Sequence, residues 1–177
     1  MPRVAKSYAM PKSNQETLPA RGASEHVAAT ARILTQWVLY DTLRAKRRPS
    51  FLPRDLPYRD NKDLHPLLSA IERFYADVGV WIFPCLLALV KRWRKRMPLS
   101  SASVDIVALT AAVLANKLLD DEYTNNCSVA MYFKLSLDTI NVFEKYFLEL
   151  CNYRIHIREE RAAKYMRKLT QNSLTNL

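Results

Sequence analysis

The sequence predicts an all-α protein, and three observations carry that prediction. Only 2 glycines occur among 177 residues. Apolar residues recur at intervals of three and four rather than in alternation, which is the spacing of a helix face and not of a strand. The length suits one core that hides roughly 70% of the unfolded surface, and is short for two.

The elements follow in chain order. Residues 1–23 mix Pro, Ser, Lys, Asn and Gln with scattered apolar side chains, a composition that does not offset the entropy of ordering, so a disordered tail is expected there. A flanking helix is expected over 24–47, with Ser24 as N-cap and a stripe of Val27, Ala31, Leu34, Val38 and either Leu39 or Asp41. The stretch RRPSFLPRDLPYRDNKD, placed as a Pro/Arg-rich linker over 48–62, ends it, because its prolines lack a donor and push their predecessors toward extended backbone.

Shorter helices are expected next. The segment DLHPLLSAIERFYAD aligns Leu64, Leu67, Leu68, Ile71 and either Phe74 or Tyr75, and the glycine of DVGV is expected to end it. VWIFPCLLALVKRWRKR reads as a second helix with a basic last turn that complements the helix dipole. SASVDIVALTAAVLANKLLDD is apolar on almost every side through Ile106 to Ala115, so it is expected to be the surrounded, central helix. A loop and a short helix near Ser128 to Tyr132 lead to Ser136, expected to cap a helix with the buried stripe Leu137, Ile140, Phe143, Phe147 and Leu150. REERAAKYMRKL, within a C-terminal helix and tail over 158–177, closes the chain, and there is no internal repeat.

A formal charge of +10 makes the surface attractive to phosphates, acidic proteins and anionic membranes without choosing among them. Cys85, Cys127 and Cys151 lack the close paired spacing of a zinc site, which fits reduced thiols in the cytoplasm or nucleus. The longest apolar run, Val78 to Val90, contains a proline and falls short of the ~20 residues a membrane helix needs, so it is expected to be buried. The basic start has no apolar core, so no secretory leader is expected, with a mitochondrial presequence as the lesser alternative.

No enzyme is expected. His26, His65 and His156 are scattered, there is no glycine-rich phosphate loop, and no nucleophile stands beside a base. Asp120, Asp121 and Glu122 read as a solvated loop, and neither metal nor cofactor is assigned. The basic clusters KRWRKR (Lys91, Arg92, Arg94, Lys95 and Arg96) and RAKRR (Arg44 to Arg48) read as cations at helix ends. A docking or nuclear-import patch is the alternative.

One ordered set of residues resembles a known family. Ala115 and Lys117 end a small-residue helix, Asp120 and Asp121 follow, then Tyr123 and Asn126 in the loop, Ser136 and Leu137, and finally Asn141, Glu144, Phe147 and Leu148. This pattern resembles the cyclin box of the P-type (phosphate-pathway, P/U-type) cyclins, over Asp63 to Ile157, roughly half the chain. The resemblance implies a five-helix cyclin box over 63–157 with an extra N-terminal helix and a short C-terminal helix. It also implies a cyclin-dependent kinase as partner, of phosphate-pathway or cell-cycle type, and a role for each site residue: Lys117 and Glu144 at the kinase C helix, with Leu114, Phe143, Phe147 and Leu148 as the apolar part of the contact if their faces point outward. Asp120, Asp121, Tyr123 and Asn126 are then loop-shaping residues. A kinase substrate or inhibitor is a further partner on this reading, whereas nucleic acid and membrane are not expected.

The chain departs from the family at four places. Lys91, Arg92, Trp93 and Arg94 stand for Tyr-x-Asp-Arg, Ala70 for an arginine, Phe133 and Lys134 for Gly-Gly, and Asp105 and Ile106 for His-Arg. Losing both halves of an internal arginine–aspartate pair is tolerable, because only an unpaired buried charge is costly. Without the resemblance, Lys117 reads as a snorkelling lysine and Glu144 as a solvated face charge. Two alternatives stay open: a cyclin-fold adaptor that binds nucleic acid or transcription machinery through its basic surface, and a cyclin that binds a kinase without activating it.

Overall fold

The computed structural model describes residues 20–44 and 63–174. Among them are seven α-helices: α1 (Ala20–Arg44), α2 (His65–Phe74), α3 (Ile82–Arg94), α4 (Val104–Leu119), α5 (Asn126–Phe133), α6 (Leu137–Leu150) and α7 (Glu159–Leu174), with a 3-10 segment at Ala76–Trp81. The all-α class is therefore correct. Most of the expected tail, and the expected linker over 48–62, lie outside the described residues.

The core is built on two helices rather than one. In α4, Val104 and every residue from Ile106 to Asn116 are buried, as its all-round apolar sequence predicts. In α3, every residue from Ile82 to Val90 is buried as well, so the long apolar run shares the centre. Among the described residues these two helices make the most extensive pairing. Among the described residues no single helix is long and apolar enough to cross a membrane.

The remaining helices wrap this pair. Helix α6 lies on α4 and α5, α1 lies on α2 and α3, and α7 packs against both α1 and α3. The C-terminal helix, expected to be short, has 16 residues and presents Ala162, Tyr165 and Leu169 to the core. Its length follows from a stripe at three- and four-residue spacing that finds two neighbours to cover it.

Several boundaries differ from the sequence-based expectation. Helix α1 begins at Ala20, so Ser24 lies inside it and is not its N-cap. Helix α2 ends at Phe74 and Tyr75 caps it, four residues before the glycine. Gly79 instead sits within the 3-10 segment at φ 66, ψ −154, a backbone region open essentially to glycine alone, and the chain turns by 110° between α2 and the segment Ala76–Arg94 that contains it. Ser136 caps α6 as expected, its Oγ accepting from the Thr139 N–H at 3.0 Å. Leu137, placed on the buried stripe of α6, is exposed, and Leu150 is half-buried, because both lie at helix ends that overhang the core.

Two positions where the sequence differs from the pattern it resembles, Trp93 and Lys134, have local explanations. Trp93 is 1% exposed and packs against Tyr146 and Phe147 at ring distances of 5.6 and 5.1 Å, so aromatic packing occupies the position. Lys134 has φ 55 and ψ 43 at the end of α5, and the next N–H, of Leu135, reaches back to the Ala130 carbonyl at 2.9 Å. This is a left-handed helix stop of the kind glycine adopts freely, made here by a residue with a Cβ.

Candidate functional site

Lys117 lies in the last turn of α4 and Glu144 occupies the middle of α6, 27 positions later. The packing of α6 on α4 brings them together: Lys117 Nζ donates to Glu144 Oε1 at 2.6 Å. Both side chains are mostly but not fully covered, at 23% and 14% exposure, so the pair sits at the rim of the core.

Two further residues, Asn126 and Tyr123, hold it. Asn126, the first residue of α5, donates through Nδ2 to Glu144 Oε2 at 2.5 Å and to Asn141 Oδ1 at 2.8 Å. The Lys117 ammonium lies 5.7 Å from the centre of the Tyr123 ring, within cation–π reach. Burial pushes the Tyr75 phenol up, and the nearby Glu144 carboxylate pushes in the same direction. The carboxylate of Glu144 thus meets donors from α4 and α5 at once, and charge-assisted bonds of this kind fix its geometry more firmly than a surface ion pair does.

The loop above the pair is pinned by side chains. Asn116, 2% exposed, accepts the Thr124 N–H on Oδ1 at 2.9 Å. Asp120 Oδ1 accepts the Glu122 N–H at 3.0 Å, an Asx turn that stops α4. Asn125 caps α5 by accepting from the Ser128 N–H at 2.9 Å, which starts that helix before Ser128. Asp121 is exposed on the same loop. Asn116 was not singled out by sequence reasoning; its signal was a polar residue inside an otherwise apolar helix, which must find a partner when buried.

The expected apolar contact residues do not all face outward. Leu114, Phe143 and Phe147 are 2%, 5% and 0% exposed and belong to the core, which removes them as a contact surface. Leu148 is half-buried. Exposed apolar side chains nearby in sequence are instead Leu118, Met131, Tyr132, Leu137 and Val142, on α4, α5 and α6. The cause is helical phase: Phe143 and Phe147 share one face of α6 with Ile140, and α4 covers that face.

The basic patch divides into separate roles. Arg94 is internal, donating through Nε and Nη2 to Asp41 at 2.7 and 2.5 Å while its guanidinium stacks 4.7 Å from the Trp37 ring centre. Lys91 lies over the same ring at 5.6 Å. Arg92 donates to the backbone carbonyls of Arg154 and His156. Lys95 and Arg96 are exposed. In the second cluster Arg44 donates to the Tyr40 hydroxyl at 2.6 Å, and residues 45–48 lie outside the described residues.

Among the described residues no three His, Cys, Asp or Glu side chains gather in a metal-holding group. Cys85 and Cys151 are buried, and burial pushes the Cys85 thiol up to about 12, whereas Cys127 is exposed beside Asn126. No known family model and no curated protein matches the chain. Fold and site together define an all-α protein whose polar groups converge on a rim ion pair.

Proposed function

We propose that this chain is a cyclin-type regulatory subunit, with a single box over 63–157, which binds a cyclin-dependent protein kinase and holds the kinase C helix inward. One observation carries the reading: Lys117 and Glu144, distant in sequence, meet at 2.6 Å on the facing helices α4 and α6. A lysine and a carboxylate fixed side by side present donors and acceptors to the backbone and side chains of a partner helix. The exposed apolar residues Leu118, Met131, Tyr132 and Val142 on the neighbouring helices add the apolar component that such contacts need.

The mechanism is positional. Holding a kinase C helix inward lets its glutamate pair with the ATP-binding lysine, which phosphoryl transfer requires. The subunit itself then needs no catalytic group, and its place is the cytoplasm or nucleus, where such kinases act.

The test uses a charge swap. Lys117→Glu together with Glu144→Lys keeps an opposite-charge pair inside the chain but reverses the charge at each position. Mixed with a panel of cyclin-dependent kinases, the wild type is expected to bind one of them and raise its activity. The swapped chain is expected to keep its helical circular dichroism and lose about tenfold or more in affinity, equivalent to about 1.4 kcal/mol. Equal binding by both chains would sink the assignment of this contact.

A further inference from the structure

The C-terminal end of α3, the turn after α6 and the start of α7 enclose a cleft of about 730 Å³. Its cationic lining consists of Arg92, Lys95, Arg96, Arg154, Arg158 and Arg161, and no carboxylate lines it. These residues come from three separate parts of the chain, so the fold, rather than one basic run, gathers them. Among the described residues none of Lys95, Arg96, Arg154, Arg158 or Arg161 makes an ion pair. Among the described residues no carboxylate is paired with them to offset their mutual repulsion. Burial lowers the pKa of the Arg92 guanidinium, and the charge of Arg161 lowers it further.

The wall of the cleft is built, not incidental. After α6 two successive residues, Asn152 and Tyr153, have φ of 51 and 54. Left-handed backbone is costly for residues with a Cβ and persists only where the surroundings impose it. Here the Tyr153 N–H reaches the Leu148 carbonyl at 2.7 Å, and Arg92 clamps the following strand of chain through the carbonyls of Arg154 and His156. The strained turn aims Arg154 toward the cations of α3 and α7.

We propose that this cleft is a binding site for a compact anion carrying several phosphate groups, of the class of a linear polyphosphate. Charge matching selects that class. A single phosphomonoester brings a charge of about −2 at most, which leaves most of the lining unneutralised. The volume falls within the roughly 300–1,000 Å³ of small-ligand sites. A duplex nucleic acid spreads one charge per ~1.7 Å of its axis and calls for a long basic track. The adjoining basic surface is interrupted by the Asp41 carboxylate, which takes up Arg94. The proposal stands apart from the kinase reading, since none of its residues belongs to the Lys117 and Glu144 cluster.

The experiment is calorimetric titration of the whole chain with inorganic tripolyphosphate at physiological ionic strength, with sulfate, a singly phosphorylated peptide and a short DNA duplex as comparison ligands. One tripolyphosphate per chain is expected, bound about tenfold or more tighter than sulfate or the phosphopeptide. Arg96→Glu with Arg158→Glu is expected to lose about tenfold or more. Arg73→Glu with Lys145→Glu, which removes the same charge elsewhere on exposed sites, is expected to change it by about twofold or less. If the first pair does not fold, Arg154→Gln with Arg161→Gln carries the same comparison. Tripolyphosphate binding no tighter than sulfate, equal losses in the cleft and control variants, or a preference for duplex DNA or phosphopeptide would overturn the proposal.

Discussion

Asp41 shows how one side chain can anchor a whole helix. It is 8% exposed on α1, and it accepts two bonds from Arg94 and a third from the Leu99 N–H at 2.9 Å. Asp41→Ala or Arg94→Ala strands a buried charge and is expected to cost about 3–5 kcal/mol, read by urea unfolding. Replacing both by apolar residues of similar volume, Asp41→Leu with Arg94→Met, is expected to cost far less. Burial alone raises the Asp41 carboxyl, but the Arg94 and Leu99 hydrogen bonds and the charges of Arg94 and Lys91 outweigh it and hold its pKa below 3.8. A depressed folded pKa means that the stabilisation is fully present above the ordinary carboxylate value. It is lost as pH falls through the lowered one. Asp41→Asn is therefore expected to flatten the acid limb of stability against pH, measured below about pH 4.

At the scale of elements, two left-handed backbone positions are expected to respond in opposite directions. Gly79 has no neighbour within 4 Å of where a Cβ would stand, yet its φ of 66 with ψ −154 excludes other residues on backbone grounds. Gly79→Ala is expected to cost about 1–3 kcal/mol without any clash. Lys134→Gly, which relieves a Cβ at φ 55, is expected to gain about 1 kcal/mol or less, and thermal unfolding of the two variants checks both signs. Helix identity was legible in the sequence wherever apolar spacing was long and unbroken, as in α3, α4 and α6. Boundaries were less so. The glycine of DVGV was a good signal of a left-handed residue, but its place was inside a 3-10 turn, because Tyr75 ends α2 first and is buried doing so. The cap of α6 at Ser136 was legible because its bond is local; the start of α1 was not, because its cap is not at Ser24.

For the molecule as a whole, the flanking helices are part of the core rather than additions to it. Leu169 of α7 is 0% exposed and lies in the same apolar cluster as Leu34 of α1 and Trp93 of α3. Leu169→Ala is expected to cost about 2–5 kcal/mol, measured by chemical unfolding, as a central residue would. The long-range pairings are the part of the site that periodicity alone could not supply. Lys117 and Glu144 were legible as a pair only through the ordered pattern from Ala115 to Leu148, since each taken singly resembles an ordinary helix-surface charge. The pairing of Arg94 with Asp41 was visible only as a choice left open on α1 between Leu39 and Asp41. The structure buries Asp41 and leaves Leu39 58% exposed, against the hydrophobic preference, because the carboxylate finds partners in Arg94 and the Leu99 N–H. The same unevenness in burial has a practical side for the thiols. With Cys85 enclosed and Cys151 only 9% exposed in the wall of the basic cleft, a maleimide dye added to the folded chain is expected to mark the exposed Cys127 first, one residue from Asn126, and a fluorophore there becomes a direct optical reporter of whatever comes to rest on that rim.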